Sequence, residues 1–293
     1  MELSGLHLLL TYQCTLECDH CFVWGSPRQS GTMRLADIGE ILDQAEDLGS
    51  VTWIYFEGGE PFLYYPILVQ GMAEAAGRGF QVGVVTNTYW ATAVEDAEVW
   101  LHPLAGRVED LSISSDRYHW DEASSQRAQH ARAAAERLGI PLGVISVAQP
   151  PDLGEPADGE CALMYHGRAA EKLAERASQR LWTTFTECPY EDFRRPGRVH
   201  IDPLGNVHLC QGIVVGNLFA TPLREIAAGY DPEGHPVVGP LLAGGPAELA
   251  RRYGVPVREG YADACHLCYT TRLALRDRFP SVLTPDQVYG VFD

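Results

Sequence analysis

The chain of 293 residues is 46% hydrophobic and 21% charged, proportions of a globular protein with room for one large domain or two moderate ones. Its formal net charge of −17 repels phosphate backbones and disfavours a nucleic-acid partner. No apolar run reaches the roughly 18 residues of a bilayer span, and the start, Met1-Glu2, lacks the basic region of a secretory signal, so the expectation is a cytoplasmic protein without a membrane partner.

In chain order, residues 6–10 form an apolar run that reads as a buried strand. Residues 34–48 place Leu35, Ile38, Ile41, Leu42, Ala45 and Leu48 at helical spacing, and Gly49 supplies the stop. Strand patterns at 51–56, 81–86, 110–115 and 140–147 alternate with helical ones at 65–78, 93–101 and 121–138. A sixth strand is expected at 162–166 and a helix at 169–181, with 150–159 an exposed loop rich in Pro, Gly and acidic residues. This alternation predicts an α/β fold around a parallel sheet of right-handed crossover units. Periodicity does not separate a partial barrel from an open doubly wound sheet.

Cys14, Cys18 and Cys21 follow the first strand with the spacing C-x3-C-x2-C. Thiolates this close on a loop leaving a strand can converge on one point. Three soft sulfur ligands suit an iron–sulfur cluster, or zinc if a fourth ligand comes from elsewhere. The bland alternative is three ordinary buried cysteines.

After about residue 182 the chain becomes loop-rich and holds Cys188, Cys210, Cys265 and Cys268. Residues 200–210 read as a hairpin turning at 203–206, and Cys265-His-Leu-Cys268 precedes a helix over 269–278. Four cysteines so arranged bind zinc or an iron–sulfur cluster, and from sequence chemistry alone zinc is the commoner answer.

The second strand ends in Phe56-Glu57-Gly58-Gly59-Glu60-Pro61. Together with the cysteine triad one helix earlier, this motif resembles the radical S-adenosylmethionine (SAM) enzymes; His20 stands where that family often has an aromatic residue. The stretch Cys188…Gly205-x4-Cys210, followed by Cys265-x2-Cys268, resembles their SPASM/twitch extension. It is closer to the shorter twitch form, because the further cysteines of the full pattern are absent. The resemblance implies a partial (β/α)6 TIM-like barrel over 1–182 and a small cysteine-rich α+β extension over 183–293. It implies a [4Fe–4S] cluster on Cys14, Cys18 and Cys21, whose open iron is chelated by SAM. It further implies reductive cleavage to a 5′-deoxyadenosyl radical that abstracts a substrate hydrogen. One auxiliary [4Fe–4S] cluster on Cys188, Cys210, Cys265 and Cys268 and an electron donor such as flavodoxin or ferredoxin complete the set.

Under the same resemblance Gly58, Gly59, Glu60 and Pro61 line the SAM amino group, with Glu60 as an acceptor for the ammonium. Asn87, Ser114 and Asp116, at strand ends where ligands collect in parallel folds, contact SAM or substrate, or else cap the following helices. Tyr118 and His119 lie at the barrel mouth, where they touch substrate or are structural. Arg168 pairs with the SAM carboxylate or is an exposed helix-start residue. Cys161, outside both sets, reads as a simple buried cysteine, with an active-site hydrogen donor as the alternative. The favoured activity is post-translational modification of a ribosomal peptide. The chain starts almost directly at strand one, leaving no room for a separate leader-binding domain, and this keeps dehydrogenation of a cyclitol or sugar open. A non-catalytic metal-binding interaction protein is the third reading.

Overall fold

The computed structural model describes residues 1–120, 125–150 and 159–291. Its spine is β1 (Gly5–Thr11), whose Leu6, Leu8, Leu9 and Leu10 are fully buried. A strand covered on both faces is what a continuous apolar run predicts. Helix α1 (Leu35–Leu48) buries Ile38, Ile41, Leu42 and Ala45 and ends at Gly49 in the left-handed conformation. Strands β2 (Trp53–Gly58), β3 (Gln81–Thr86), β4 (Asp110–Ser114) and β5 (Leu142–Ile145) follow. The helices α2 (Tyr65–Gly77), α3 (Val94–Leu101) and α4 (Gln126–Leu138) connect them. All four strand pairings from β1 to β5 are parallel. The α/β fold expected from the sequence is therefore present. The first four residues expected in helix 121–138 and most of the loop 150–159 lie outside the described residues.

The sixth parallel strand is not formed. Residues 162–166 carry no strand; the chain touches the sheet edge through a single bridge between Val147 and Cys161, then enters a five-residue helix, α5 (Arg168–Lys172). The sheet is extended instead at its other end. After a short strand β6 (Arg180–Leu181), the chain crosses to the free side of β1 and adds β7 (Arg198–Ile201) in parallel. The antiparallel strands β8 (Asn206–Cys210) and β9 (Ile213–Asn217) complete the order β5-β4-β3-β2-β1-β7-β8-β9. The expected hairpin over 200–210 is thus real. The change of character near residue 182 is a change in sequence pattern and not a break in the sheet.

Helices α6 (Leu223–Gly229), α7 (Val238–Tyr253) and α8 (Ala264–Leu275) and strand β10 (Gly260–Tyr261), paired with β6, make up the rest. The helix expected at 269–278 begins earlier, because Asp263 caps it by accepting from the His266 N–H at 2.7 Å. Helix α7 breaks at Gly244-Gly245. Gly245 has φ 66°, and a Cβ there would fall 2.6 Å from the Phe185 carbonyl oxygen, so the missing side chain lets α7 press on the segment that leads to Cys188.

Candidate functional site

The loop after β1 is fastened to the end of β2 by backbone bonds: Gly59 N–H donates to Thr11 O at 2.7 Å, and Glu60 N–H to Gln13 O at 2.8 Å. A Cβ on Gly59 would lie 2.0 Å from Gln13 O. This approach explains the glycine and brings two sequence-distant motifs to one cavity. The cavity, of about 340 Å³, is lined by Cys14, Cys18, Cys21, Gly58, Gly59 and Asn87, with Ser114 and His119 further round its wall. The sulfurs receive hydrogen bonds: Gly25 N–H to Cys21 Sγ at 3.1 Å, Leu16 N–H to Cys14 Sγ at 3.4 Å, and Asn87 Nδ2 to Cys14 Sγ at 3.5 Å. Burial, with Glu60 nearby, pushes the Cys14 thiol up to about 12; burial and its two neighbouring cysteines raise Cys18 as well. Free thiols so placed stay neutral, whereas a bound cation would hold them as thiolates.

A second cavity, of about 170 Å³, is lined by Cys188, Cys210, Cys265 and Cys268. Cys210 ends β8, and Cys265 and Cys268 stand in the first two turns of α8. Burial pushes the Cys210 thiol up to about 12. Phe22, Met164 and His166 line both cavities, and the Phe22 and His166 rings stack with centroids 5.9 Å apart. Burial, with Arg272 and His20 nearby, pushes His166 down to about 3, so this shared wall is uncharged.

One zinc ion with Zn–S near 2.3 Å needs its sulfurs about 3.8 Å apart. Among the described residues, no three cysteine sulfurs lie within 4.8 Å of one another in either set. Buried polar atoms without partners lie beside both sets: His20 Nδ1 beside the first, and both Gln211 amide atoms and Arg272 Nε beside the second.

The remaining expected residues take defined positions. The Glu60 carboxylate is fully buried and accepts from Phe62 N–H, Thr86 Oγ1 and Asn87 N–H at 3.1, 2.9 and 2.7 Å, so it braces the ends of β2 and β3. Pro61 begins the short 3-10 turn that Glu60 caps. Asp116 accepts from Tyr118 N–H, His119 N–H and the His119 ring, the last at 2.8 Å. Burial alone would raise its pKa, but the His119 bond, with His20 close by, holds it below the usual carboxylate value. Tyr118 stacks on His20 at 4.5 Å and donates to Ala148 O at 3.0 Å.

Arg168 is not an exposed helix start: it is 5% exposed, its guanidinium donates to Cys18 O at 2.7 Å and Gly25 O at 2.8 Å, and it lies over the Trp24 ring. Cys161 is exposed and lines the first cavity, which corrects the expectation of a simple buried cysteine. Its short edge bridge to Val147 gives it no covering layer. Two groups escaped the sequence reading. His7, Glu57 and His200 meet on the inner sheet face, and their signal was a polar residue at alternate positions of apolar strands. Arg272 lies one helical turn beyond Cys268; its signal was an arginine at i+4 from a cysteine.

Comparison with known proteins places this geometry. The family model "Radical SAM superfamily" matches residues 8–108. The Bacillus subtilis (strain 168) protein YydG, named for peptide biosynthesis, is 29% identical over 111 residues, a stretch covering 38% of this chain and 35% of that relative. The chain thus covers about a third of that relative's length. Among solved structures, BtrN in complex with AdoMet and 2-DOIA superposes with a TM-score of 0.53 at 15% identity, over 76% of this chain and 81% of that one. anSMEcpe with bound AdoMet and Cp18Cys peptide does so with a TM-score of 0.50 at 12% identity, over 95% and 97%. At such identities the likeness is one of fold.

The matched stretch contains both the three-cysteine loop and the Gly-Gly-Glu-Pro turn beside it on the parallel sheet. Over residues 8–108 the chain is similar to the radical SAM superfamily.

Proposed function

We propose that Cys14, Cys18 and Cys21 hold a [4Fe–4S] cluster with one iron free of protein ligands, and that SAM binds there against Gly58 and Gly59. The observation that carries this is the backbone clasp of Gly59 and Glu60 onto Thr11 and Gln13, which faces the glycine turn onto the thiol cavity. When bound, cluster and cofactor supply reductive cleavage of the sulfonium to a 5′-deoxyadenosyl radical that abstracts hydrogen from substrate. The chain's own residues set the stage. Gly25 and Leu16 N–H groups and Asn87 donate to the sulfurs, Arg168 holds the loop carbonyls, and Glu60 fixes the turn, leaving backbone carbonyls as acceptors for an ammonium. Leu16, Val147, Leu163 and Met164 give the cavity an apolar wall, which excludes water from the reacting centre.

The substrate class that fits this wall is a peptide presenting an apolar side chain. The name of the Bacillus subtilis relative and the peptide bound in the anSMEcpe structure support the same reading. Cys188, Cys210, Cys265 and Cys268 would hold a second, fully ligated cluster that serves electron transfer, fed by a small redox protein such as flavodoxin or ferredoxin.

The test is anaerobic reconstitution followed by incubation with reductant, SAM and candidate substrates. Expected are 5′-deoxyadenosine and a peptide that has lost hydrogen mass. Zinc in place of iron, with SAM left intact, overturns the enzyme reading. Turnover of a cyclitol or sugar with peptides untouched overturns the substrate class.

A further inference from the structure

The wall of the second cysteine cavity contains a buried charge that lies over the Tyr269 and Tyr289 rings but that no carboxylate among the described residues balances. Arg272 sits on α8 four residues after Cys268 and is 1% exposed. Its guanidinium donates to Gln211 O at 2.7 Å and approaches Tyr289 Oη at 3.5 Å, while Nε has no partner. The Tyr289 hydroxyl is itself committed to Gly212 O at 2.7 Å. Among the described residues no carboxylate pairs with Arg272; the groups in electrostatic contact with it include the thiols of Cys268 and Cys210. Gln211, next to Cys210, lines the same cavity and has both amide atoms buried without partners.

A buried cation without an anion is strongly disfavoured, and donors are not left idle in a native interior without cause. The missing counterpart is therefore an anionic, acceptor-rich body in the cavity. A four-iron cluster on four thiolates is such a body: it carries net negative charge, and more of it when reduced.

We propose that Arg272, assisted by the Gln211 amide, is the built-in counter-charge of the second cluster and raises its reduction potential. The proposal rests on the reading that Cys188, Cys210, Cys265 and Cys268 hold a cluster. A positive charge fixed in a dry site favours the more negative, reduced state, because little solvent screens it. Arg272 is a positioning residue in this role: it ligates nothing and sets the electrostatics around the sulfurs. The first site is built differently, since Arg168 spends two of its donors on the Cys18 and Gly25 carbonyls.

The experiment is an anaerobic, EPR-monitored redox titration of the reconstituted full chain in a C14A/C18A/C21A background, where any remaining cluster belongs to the second site. The expected result is a loaded cluster whose midpoint moves to more negative potential in R272M and, by less, in Q211L, while R272K stays near the parent. Loading of R272M with an unmoved midpoint overturns the proposal. A shift in R272K as large as in R272M also overturns it, because charge would then not be the cause. Should R272M fail to load, Q211L and R272K decide by the same criteria. Absence of iron from the C14A/C18A/C21A parent overturns the cluster reading itself, an outcome distinct from a loaded site with an unmoved potential.

Discussion

His200 on β7 and Glu57 on β2 reach over the strand between them: Nδ1 lies 2.6 Å from Oε1. On that middle strand, β1, the register partner of His200 is His7, which offers Nδ1 at 3.2 Å to the other carboxylate oxygen. One carboxylate thus ties the parallel half of the sheet to the hairpin that carries Cys210. Burial opposes ionisation of Glu57, but the two imidazoles win and hold it well below the usual carboxylate range.

Glu57→Gln or His200→Ala is expected to destabilise the protein by about 3 kcal/mol, the cost of removing one member of a buried pair. Because the folded value of Glu57 is depressed, its contribution is complete above the unfolded value near 4.5 and fades as pH falls below it. Thermal denaturation across acid pH checks both points. An acid limb as steep in Glu57→Gln as in the parent would contradict them.

Glu60 behaves in the opposite sense. Burial pushes its carboxyl up to about 7, although the Asn87 and Phe62 N–H groups and the Thr86 hydroxyl favour the charged form. Its raised value means that Glu60's own contribution to the stability of the metal-free protein is fully present below about pH 4.5 and declines as pH rises towards 7. Glu60→Ala removes this dependence and leaves three donors unmatched, at a cost of about 3 kcal/mol. Melting curves of the metal-free parent and variant between these limits are the check.

Gly59→Ala is expected to abolish SAM-dependent chemistry. The added Cβ meets Gln13 O at 2.0 Å, so the turn must leave the cysteine loop. The second cysteine set lies on other elements, and its iron is expected to remain. Iron content and 5′-deoxyadenosine formation, measured on the same preparation, separate the two effects.

His20 has Nδ1 buried and unpartnered, stacks on Tyr118 at 4.5 Å, and is pushed down to about 4 by burial and by His119. It acts as a neutral flat ring. His20→Phe is therefore expected to keep SAM cleavage within a few-fold and to gain about 1 kcal/mol by removing an unmet polar atom. His20→Ala is expected to lower cleavage about tenfold through lost packing against Tyr118. Parallel assays of the two variants test the point, and equal losses would show that the imidazole nitrogens matter.

Local pattern was enough to find the cysteine loop, the glycine turn and the first five strands, because each depends on neighbours in sequence. Apolar runs fix buried strands, helical spacing fixes the face that packs, and close-set thiols must converge. The expected sixth strand is reduced to the single bridge between Val147 and Cys161 at the β5 edge, and the sheet grows at its other side. The free side of β1 was taken by β7, residues 198–201, and the register His7–His200 is invisible in either segment alone. Likewise Arg168 and Glu60 look like surface helix and turn residues in the sequence, yet tertiary contacts bury both.

The amino-acid order by itself determined the class of sheet and singled out the cysteines proposed to bear the chemistry, since ligand type and strand period are local properties. Tertiary structure alone decided which thiols share a cavity, the stacked wall between the two cavities and the burial of Arg272. Those follow from chain segments far apart in sequence being pressed into one interior, where low polarity gives every unpaired donor a consequence.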